Sequence, residues 1–308
     1  MLDNFLEIYF LLNLYMKIKQ IFFGLVGLFG ISNGDYNILS FSGGGSFGAV
    51  EVGILDKLVS SKSVPKSFDL YTGISAGGLN SGFFSHFVSV EVGLPVIKNI
   101  YTELTNSDIY SLYPRTNTSL LNTKPLELTI KKTIGKLNPS KIQTLIGTTN
   151  LNTGYLDTYY YNTLGFEDQV KLLLSTSAIP IVFPPIYWKD QIYVDGGEIS
   201  NQLLEPLTSD KWINVTYITT TSGLEPNYLI ETFEDIIIRN IQVITSTFDN
   251  SIFEINSNCG INKPRGEINM YWVPSSALSG YSILNFNKGK ELLEIGYSNV
   301  QTKKYNLC

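Results

Sequence analysis

Apolar and polar positions change rhythm several times along the chain, and each change predicts an element. Residues 5–31 are apolar almost throughout, interrupted by Glu7, Asn13, Lys17 and Lys19. From Asp35 onward, short strand-like runs alternate with stretches of helical period, the pattern of an α/β domain. Asn37–Ser42 (NILSFS) predicts a strand ending in glycines, and Ala49–Ser60 a helix with Val50, Ile54, Leu55 and Leu58 on one face. Phe68–Thr72 predicts a second strand, and Ala76 to about Val88 the helix after it. Helical stretches follow near Pro95–Leu104 and Pro125–Ile134, then strands at Lys141–Thr148 and Gly154–Tyr161 and a helix at Glu167–Ser175. Farther on, Ile192–Asp195, Trp212–Thr220 and Glu267–Val273 predict strands, Leu229–Thr247 the longest helix and Lys288–Tyr297 a closing one. No repeat, low-complexity tract or Pro/Gly-rich linker interrupts this order after residue 35. The pattern predicts one domain, 35–308, behind a hydrophobic segment, 1–34.

That first segment admits three readings. Its uninterrupted apolar run, Ile21–Ile31, has 11 residues, about half of the ~20 a membrane-spanning helix needs. From Met16 on, MKIKQ followed by IFFGLVGLFGI has the basic start and short apolar core of a signal peptide, although ISNG is a poor cleavage site. Residues 3–31 also fit a membrane-associated helix or a marginal span broken by two lysines, and equally an extra helix packed on the domain.

Composition narrows the class. The chain has 308 residues, of which 44% are hydrophobic and 16% charged, the latter well below the roughly 25% of an average globular protein. Disordered, collagenous and highly charged nucleic-acid-binding chains are excluded. The net charge of −5 and a pI of about 5.1 supply no basic field for DNA or RNA. Two cysteines, Cys259 and Cys308, are too few for a disulfide framework or a zinc site. The most restrictive count is a single histidine, His86.

Three short segments carry candidate chemistry. Gly73-Ile74-Ser75-Ala76-Gly77 is a G-x-S-x-G motif between a predicted strand and a predicted helix, the context of a nucleophile elbow. Small neighbours are needed there because the serine sits on a sharp, strained turn. The helix start beneath it offers free N–H groups to a developing oxyanion. A triad would need a histidine within reach. His86 lies 11 residues after Ser75 on the same predicted helix, roughly 16 Å along the axis at ~1.5 Å per residue, so it cannot serve and reads as a helix-surface or core residue. The second segment is Ser42-Gly43-Gly44-Gly45-Ser46-Phe47-Gly48, whose bare backbone N–H groups make an anion nest at a helix start. No Gly-Lys-Ser/Thr follows, as a P-loop would require, and Asp69 falls at the wrong end of the second strand for a dinucleotide site. An oxyanion hole beside Ser75 and a plain tight turn remain. The third segment is Asp195-Gly196-Gly197 at a strand end, an ordinary turn by itself and, in a histidine-poor serine enzyme, the leading candidate base.

In this order, these pieces resemble the patatin-like phospholipase family. Ile38–Leu55 (ILSFSGGGSFGAVEVGIL) is similar to its first strand, glycine-rich loop and first helix, and Asp69–Asn80 (DLYTGISAGGLN) to its nucleophile elbow. Leu120–Leu126, Ile146–Gly154, Ser175–Pro185 (STSAIPIVFPP), Ile192–Pro206 (IYVDGGEISNQLLEP) and Phe286–Tyr297 extend the resemblance over about residues 36–298. It implies a three-layer α/β/α fold with a mostly parallel central sheet. It further implies Ser75 as nucleophile, Asp195 as its partner in a Ser-Asp dyad, and an oxyanion hole of the Gly43, Gly44 and Gly45 N–H groups with that of Ala76. Gly48, Gly73, Gly77, Gly196 and Gly197 complete the motifs. The implied reaction is hydrolysis of a lipid acyl ester through an acyl-enzyme, with no metal or other cofactor and with Asp195 ionised at working pH. The implied partner is a lipid substrate at a membrane or micelle surface, in a cytoplasmic protein held peripherally to the membrane, with secretion or N-terminal anchoring as alternatives. Phe47 stands where many members carry a basic residue, which weakens phospholipid relative to neutral lipid. A neutral acylglycerol lipase or lysophospholipase and a catalytically idle lipid-binding member are the competing readings.

Overall fold

A computed structural model describes residues 35–114, 117–204, 211–220 and 265–307, together with Asp235, Ile236, Arg239 and Val243. The 1–34 segment, Cys259, Cys308 and most of the predicted helix Leu229–Thr247 lie outside the described residues, although the four isolated positions just named are helical.

The alternating apolar runs form one sheet, nine-stranded among the described residues. Its strands are β1 (Tyr36–Phe41), β2 (Leu70–Ile74), β3 (Gln143–Asn150), β4 (Tyr155–Tyr160), β5 (Ile186–Trp188), β6 (Gln191–Val194), β7 (Ile213–Ile218), β8 (Gly266–Trp272) and β9 (Gln301–Leu307). The order is β5-β6-β3-β2-β1-β7-β8-β9, with β4 also paired to β3. Strands β3, β2, β1, β7 and β8 run parallel, and β4, β5, β6 and β9 add antiparallel pairings. This is the expected three-layer α/β/α arrangement, a mixed sheet that is mostly parallel through its centre, with helices on both sides.

Period-2 alternation sends successive strand residues to opposite faces. Leu39, Phe41, Tyr71 and Ile146 enter the larger core, and Ile38, Leu70, Ile74 and Leu145 enter a second one with Val215, Tyr217 and Ile268. The larger core is built against helices α1 (Gly48–Ser60), α2 (Ala76–Phe84), α3 (Val90–Glu103), α5 (Lys124–Ile134), α6 (Phe166–Thr176) and α7 (Gly289–Ser298), with a single turn, α4 (Asn106–Ile109), between α3 and α5. Among the described residues no helix is long and apolar enough to cross a membrane.

Several expectations need correction. Helix α1 does not have a single apolar face: Gly48 to Leu55 are all buried, because the helix is wedged between the sheet and α7. The contact with α7 is backbone to backbone. A Cβ on Gly53 would lie 2.1 Å from the Leu293 carbonyl oxygen, and one on Gly296 2.1 Å from that of Val50. Helix α2 ends at Phe84, so His86 is not on it. The ring is buried, with Nδ1–H donating to the Asn138 carbonyl and Nε2 accepting from the Tyr161 hydroxyl. Burial pushes its pKa down, which suits a neutral core histidine. Strand β2 begins two residues later than predicted, and β9 was not anticipated. Its residues are exposed on both faces except near the end, so it lacks the alternation that marks a half-buried strand.

The α1–α7 contact generates a stability prediction. Gly296→Ala should lower stability by about 1–3 kcal/mol, because helix backbones must move apart. Gly165→Ala, where an added Cβ meets nothing within 4 Å, should change it by less than about 1 kcal/mol. Urea denaturation of both variants checks this, and equal midpoints would refute the close-contact account.

Candidate active site

The registers of two strand pairs bring the site together. Ile74 pairs with Gly147, which places the residue after β2, Ser75, beside the middle of β3. On the other side of β3, Thr149 pairs with Val194 of antiparallel β6, so the residue after β6, Asp195, arrives at the same level. The Ser75 hydroxyl donates to Asp195 Oδ2 at 2.7 Å, and both residues are buried.

Ser75 occupies a sharp elbow at φ 54°, ψ −126°, a strained conformation for a residue with a side chain. The turn closes only because its neighbours are small. A Cβ on Gly73 would sit 2.2 Å from the Gly77 carbonyl oxygen, and one on Gly77 2.2 Å from that of Ser42. The second glycine therefore lets the elbow lie directly against the glycine loop. The Ser75 N–H is held by Thr176 Oγ1 at 2.9 Å, and the Thr176 hydroxyl donates to the Gly147 carbonyl at 2.6 Å. Two residues farther along, the Ala178 carbonyl accepts the Asp195 N–H at 2.9 Å. The end of α6 thus anchors both halves of the pair. Thr176 was not singled out in the sequence, since one threonine at a helix end carries no signal until the strand opposite it is known.

Asp195 Oδ1 accepts the Gly197 N–H at 2.8 Å, which fixes the carboxyl plane and leaves Oδ2 for the serine. Gly196 has no room for a side chain, because a Cβ would lie 2.7 Å from the Gly147 carbonyl oxygen. Burial pushes the Asp195 carboxyl up to about 7, opposed by the hydrogen bonds from Ser75 and Gly197, with a further upward push from the Glu198 charge. The ionised carboxylate expected from the sequence is then the form this group takes above about pH 7. Near neutrality this group is divided between its two forms.

Counting backbone donors along the glycine loop shows which of them are engaged within the protein. Ser42 N–H goes to the Ile218 carbonyl and Glu51 Oε1, Ser46 N–H to the Ile283 carbonyl, and Phe47 N–H to that of Gly44. Gly43 N–H donates to Asn201 Oδ1 at 3.0 Å, which removes it from the predicted set of free donors. The N–H groups of Gly44 and Gly45 have no protein acceptor among the described residues, nor does that of Ala76 at the start of α2. Gly45 sits at φ +57°, and a Cβ there would lie 2.4 Å from the Ile283 carbonyl oxygen. Gly48 begins α1, where its own Cβ would meet the Tyr101 hydroxyl. Phe47 is turned into the core and is only 5% exposed, so it does not line the site as a substitute for a basic residue. Among the described residues no three His, Cys, Asp or Glu side chains are grouped to hold a metal ion.

The raised Asp195 pKa has a consequence for stability. Between about pH 4 and 7 the unfolded chain has lost this proton while the folded chain keeps it, so wild-type stability falls as pH rises through that window. Asp195→Asn lacks the penalty and should gain on the order of a few kcal/mol over wild type between pH 4 and 8. Urea titrations at several pH values read this out, and parallel curves for the two proteins would contradict it.

Solved structures similar to the chain include VipD from Legionella pneumophila, at 10% identity over 87% of this chain and 68% of that one, with a TM-score of 0.40. The type III effector protein ExoU matches at 11% identity over 88% of this chain and 55% of that one, with a TM-score of 0.32. ExoU in its complex with SpcU from the type III secretion system of Pseudomonas aeruginosa matches at 15% identity over 88% and 53%, with a TM-score of 0.31. The chain thus spans little more than half the length of the ExoU chains. No curated protein matches it. The family description "patatin-like phospholipase" matches residues 39–208, more than half of the chain. That span takes in the glycine loop, the Ser75 elbow, the Thr176 anchor and the Asp195 turn, and by it the chain belongs to the patatin-like phospholipase family.

Proposed function

We propose that the protein is a lipid acyl hydrolase of the phospholipase A type, in which Ser75 attacks the acyl carbonyl and Asp195 is the base. The observation that carries this reading is the 2.7 Å hydrogen bond from Ser75 Oγ to Asp195 Oδ2 at a strained elbow, in a chain whose one histidine is committed to the core. Asp195 takes the Ser75 proton as Oγ bonds to the acyl carbon. The carbonyl oxygen becomes an oxyanion facing the Gly44, Gly45 and Ala76 N–H groups. Collapse expels the alcohol, which receives the proton from Asp195, and leaves an acyl-Ser75 ester. Water then attacks that ester with Asp195 again as base, releasing the fatty acid and restoring the serine. A base with a pKa of about 7 suits this role, being deprotonated above neutrality and still able to return its proton.

A neutral acylglycerol or lysophospholipid substrate is the second reading. Phe47 favours the neutral acylglycerol of the two, because its burial leaves that loop position without a cation for a phosphate.

Action at a lipid surface is supported by an exposed apolar group near the Asp195 anchor. Leu112 and Tyr113 lie on one loop and Ile181 on another, with Leu120 N–H donating to the Ile181 carbonyl at 2.8 Å and Leu121 N–H to that of Val182 at 2.9 Å. Leu112, Tyr113, Leu120 and Ile181 are all more than half exposed. Ile181 holds φ +70°, a costly conformation for a β-branched residue. The loop containing it begins at Ala178, which holds the Asp195 N–H.

Fatty-acid release from mixed phospholipid and triacylglycerol micelles tests the chemistry. Wild type should release acid, whereas Ser75→Ala and Asp195→Asn should each lose about 10³-fold or more. Hydrolysis by wild type should rise with pH through an acid limb near 7, as Asp195 loses its proton. Activity surviving in both variants would end this reading, and inactivity of all three proteins would favour the idle lipid-binding alternative. The surface patch makes a separate prediction. Changing Leu112 and Ile181 together to serine should cut turnover on vesicles roughly tenfold. Hydrolysis of a water-soluble short-chain ester should be unchanged, and equal losses on both substrates would rule out a surface role.

A further inference from the structure

Three consecutive glycines are the least restrained backbone a chain can offer, yet an oxyanion hole works only if its donors are aimed before the reaction begins. Two buried polar side chains grip this loop from opposite sides. From one side, Asn201 Oδ1 accepts the Gly43 N–H at 3.0 Å, and its Nδ2 approaches the Gly43 carbonyl at 3.5 Å. The amide lies so close that a Cβ on Gly43 would stand 2.4 Å from Oδ1. Asn201 is six residues past Asp195, on the chain that leaves the aspartate turn.

From the other side comes Glu51 of α1, with no exposed surface. Its Oε1 accepts both the N–H and the hydroxyl of Ser42 at 2.9 Å, and its Oε2 accepts from Asn80 Nδ2 at 3.0 Å. Asn80 also donates to the Gly48 carbonyl at 3.1 Å and is itself fixed by the Tyr101 hydroxyl at 2.8 Å. Among the described residues no lysine or arginine pairs with Glu51, and burial holds its carboxyl well above the usual carboxylate range. An acid buried without a cation is an expensive way to fill space, since an apolar residue there would avoid the desolvation. Its hydrogen bonds run to the root of the glycine loop and to the side chain that holds the loop's far end.

We propose that Asn201 and Glu51 are positioning residues that clamp the glycine loop at Gly43 and Ser42, keeping the free Gly44 and Gly45 N–H groups aimed at the acyl oxygen. Through Asn201 the clamp also ties the oxyanion donors to the turn that carries Asp195, so the two halves of the site hold one geometry. The clamp's hydrogen bonds go to Ser42, Gly43 and Asn80 rather than to the Ser75 hydroxyl or the Asp195 carboxyl. The inference rests on the Ser75–Asp195 reading given above.

The test uses the full chain with the substitutions Asn201→Ala and Glu51→Gln, alongside Ser75→Ala. Turnover of a micellar acyl ester is measured together with the binding of two probes of the same chain length. A long-chain alkyl trifluoromethyl ketone adds the serine oxygen to its carbonyl and places an oxyanion in the hole, whereas a non-hydrolysable alkyl ether fills the site without one. Each clamp variant should lose roughly 10- to 100-fold in kcat with KM within about twofold. Affinity for the ketone should fall by the same factor while affinity for the ether holds. Either clamp variant suffices if the other fails to fold. Wild-type kcat in a folded variant, or ketone and ether affinities lost in equal measure, would overturn the clamp. Hydrolysis retained by Ser75→Ala would instead bring down the underlying Ser75–Asp195 reading, which separates the two failures.

Discussion

The backbone of Ser75, bent to φ 54° at the junction of β2 and α2, is the constraint around which this end of the molecule is arranged. A serine does not rest there unaided, so the surrounding structure must over-determine the position. Gly73 and Gly77 remove the side chains that would collide, and the Thr176 hydroxyl holds the serine N–H against β3. Gly77 also allows the elbow to lie against the Ser42 carbonyl, which brings the glycine loop alongside. The strained turn, the glycine loop and the Asp195 carboxyl are therefore one packing problem with one solution.

Electrostatics in the site come from removing water. Asp195 is pushed up to about 7 chiefly by burial, against two hydrogen bonds that favour its ionised form. In the proposed mechanism this gives a buried aspartate the basicity near neutrality that a histidine would otherwise supply. His86 is unavailable for that part, locked between Asn138 and Tyr161 in the core. Glu51 is a second buried acid close by, and among the described residues neither has a cationic partner. The protein accepts the cost of desolvating two acids at the place where its backbone donors have to be held still.

Fold and site are linked through strand register. Parallel β1 and β2 end side by side, so the glycine loop and the serine elbow emerge together from the same edge of the sheet. Antiparallel β6 overlaps β3 by only its last two residues, and that short overlap delivers Asp195 beside Ser75, 120 residues away in the chain. A shift of one residue in the β3–β6 pairing would turn the aspartate to the other face.

Strands with a buried face and helices with helical period were legible directly, because burial imposes a repeat that the chain must carry. The serine elbow, glycine loop and aspartate turn were legible because each needs small residues next to a reactive one, and the lone histidine, only 11 residues past the serine, was read as out of reach. Strand β9 was not legible, since an edge strand exposed on both faces need not alternate. The end of α2, the all-round burial of α1 and the inward turn of Phe47 depend on neighbours distant in sequence. Likewise, nothing local marks Thr176, Asn201 or Glu51, whose roles consist of hydrogen bonds across long stretches of chain. Which residues could react was written in the sequence, as short steric and chemical requirements. Which N–H groups stay free, and how basic the aspartate is, only the tertiary structure decided, because both follow from what is packed around them.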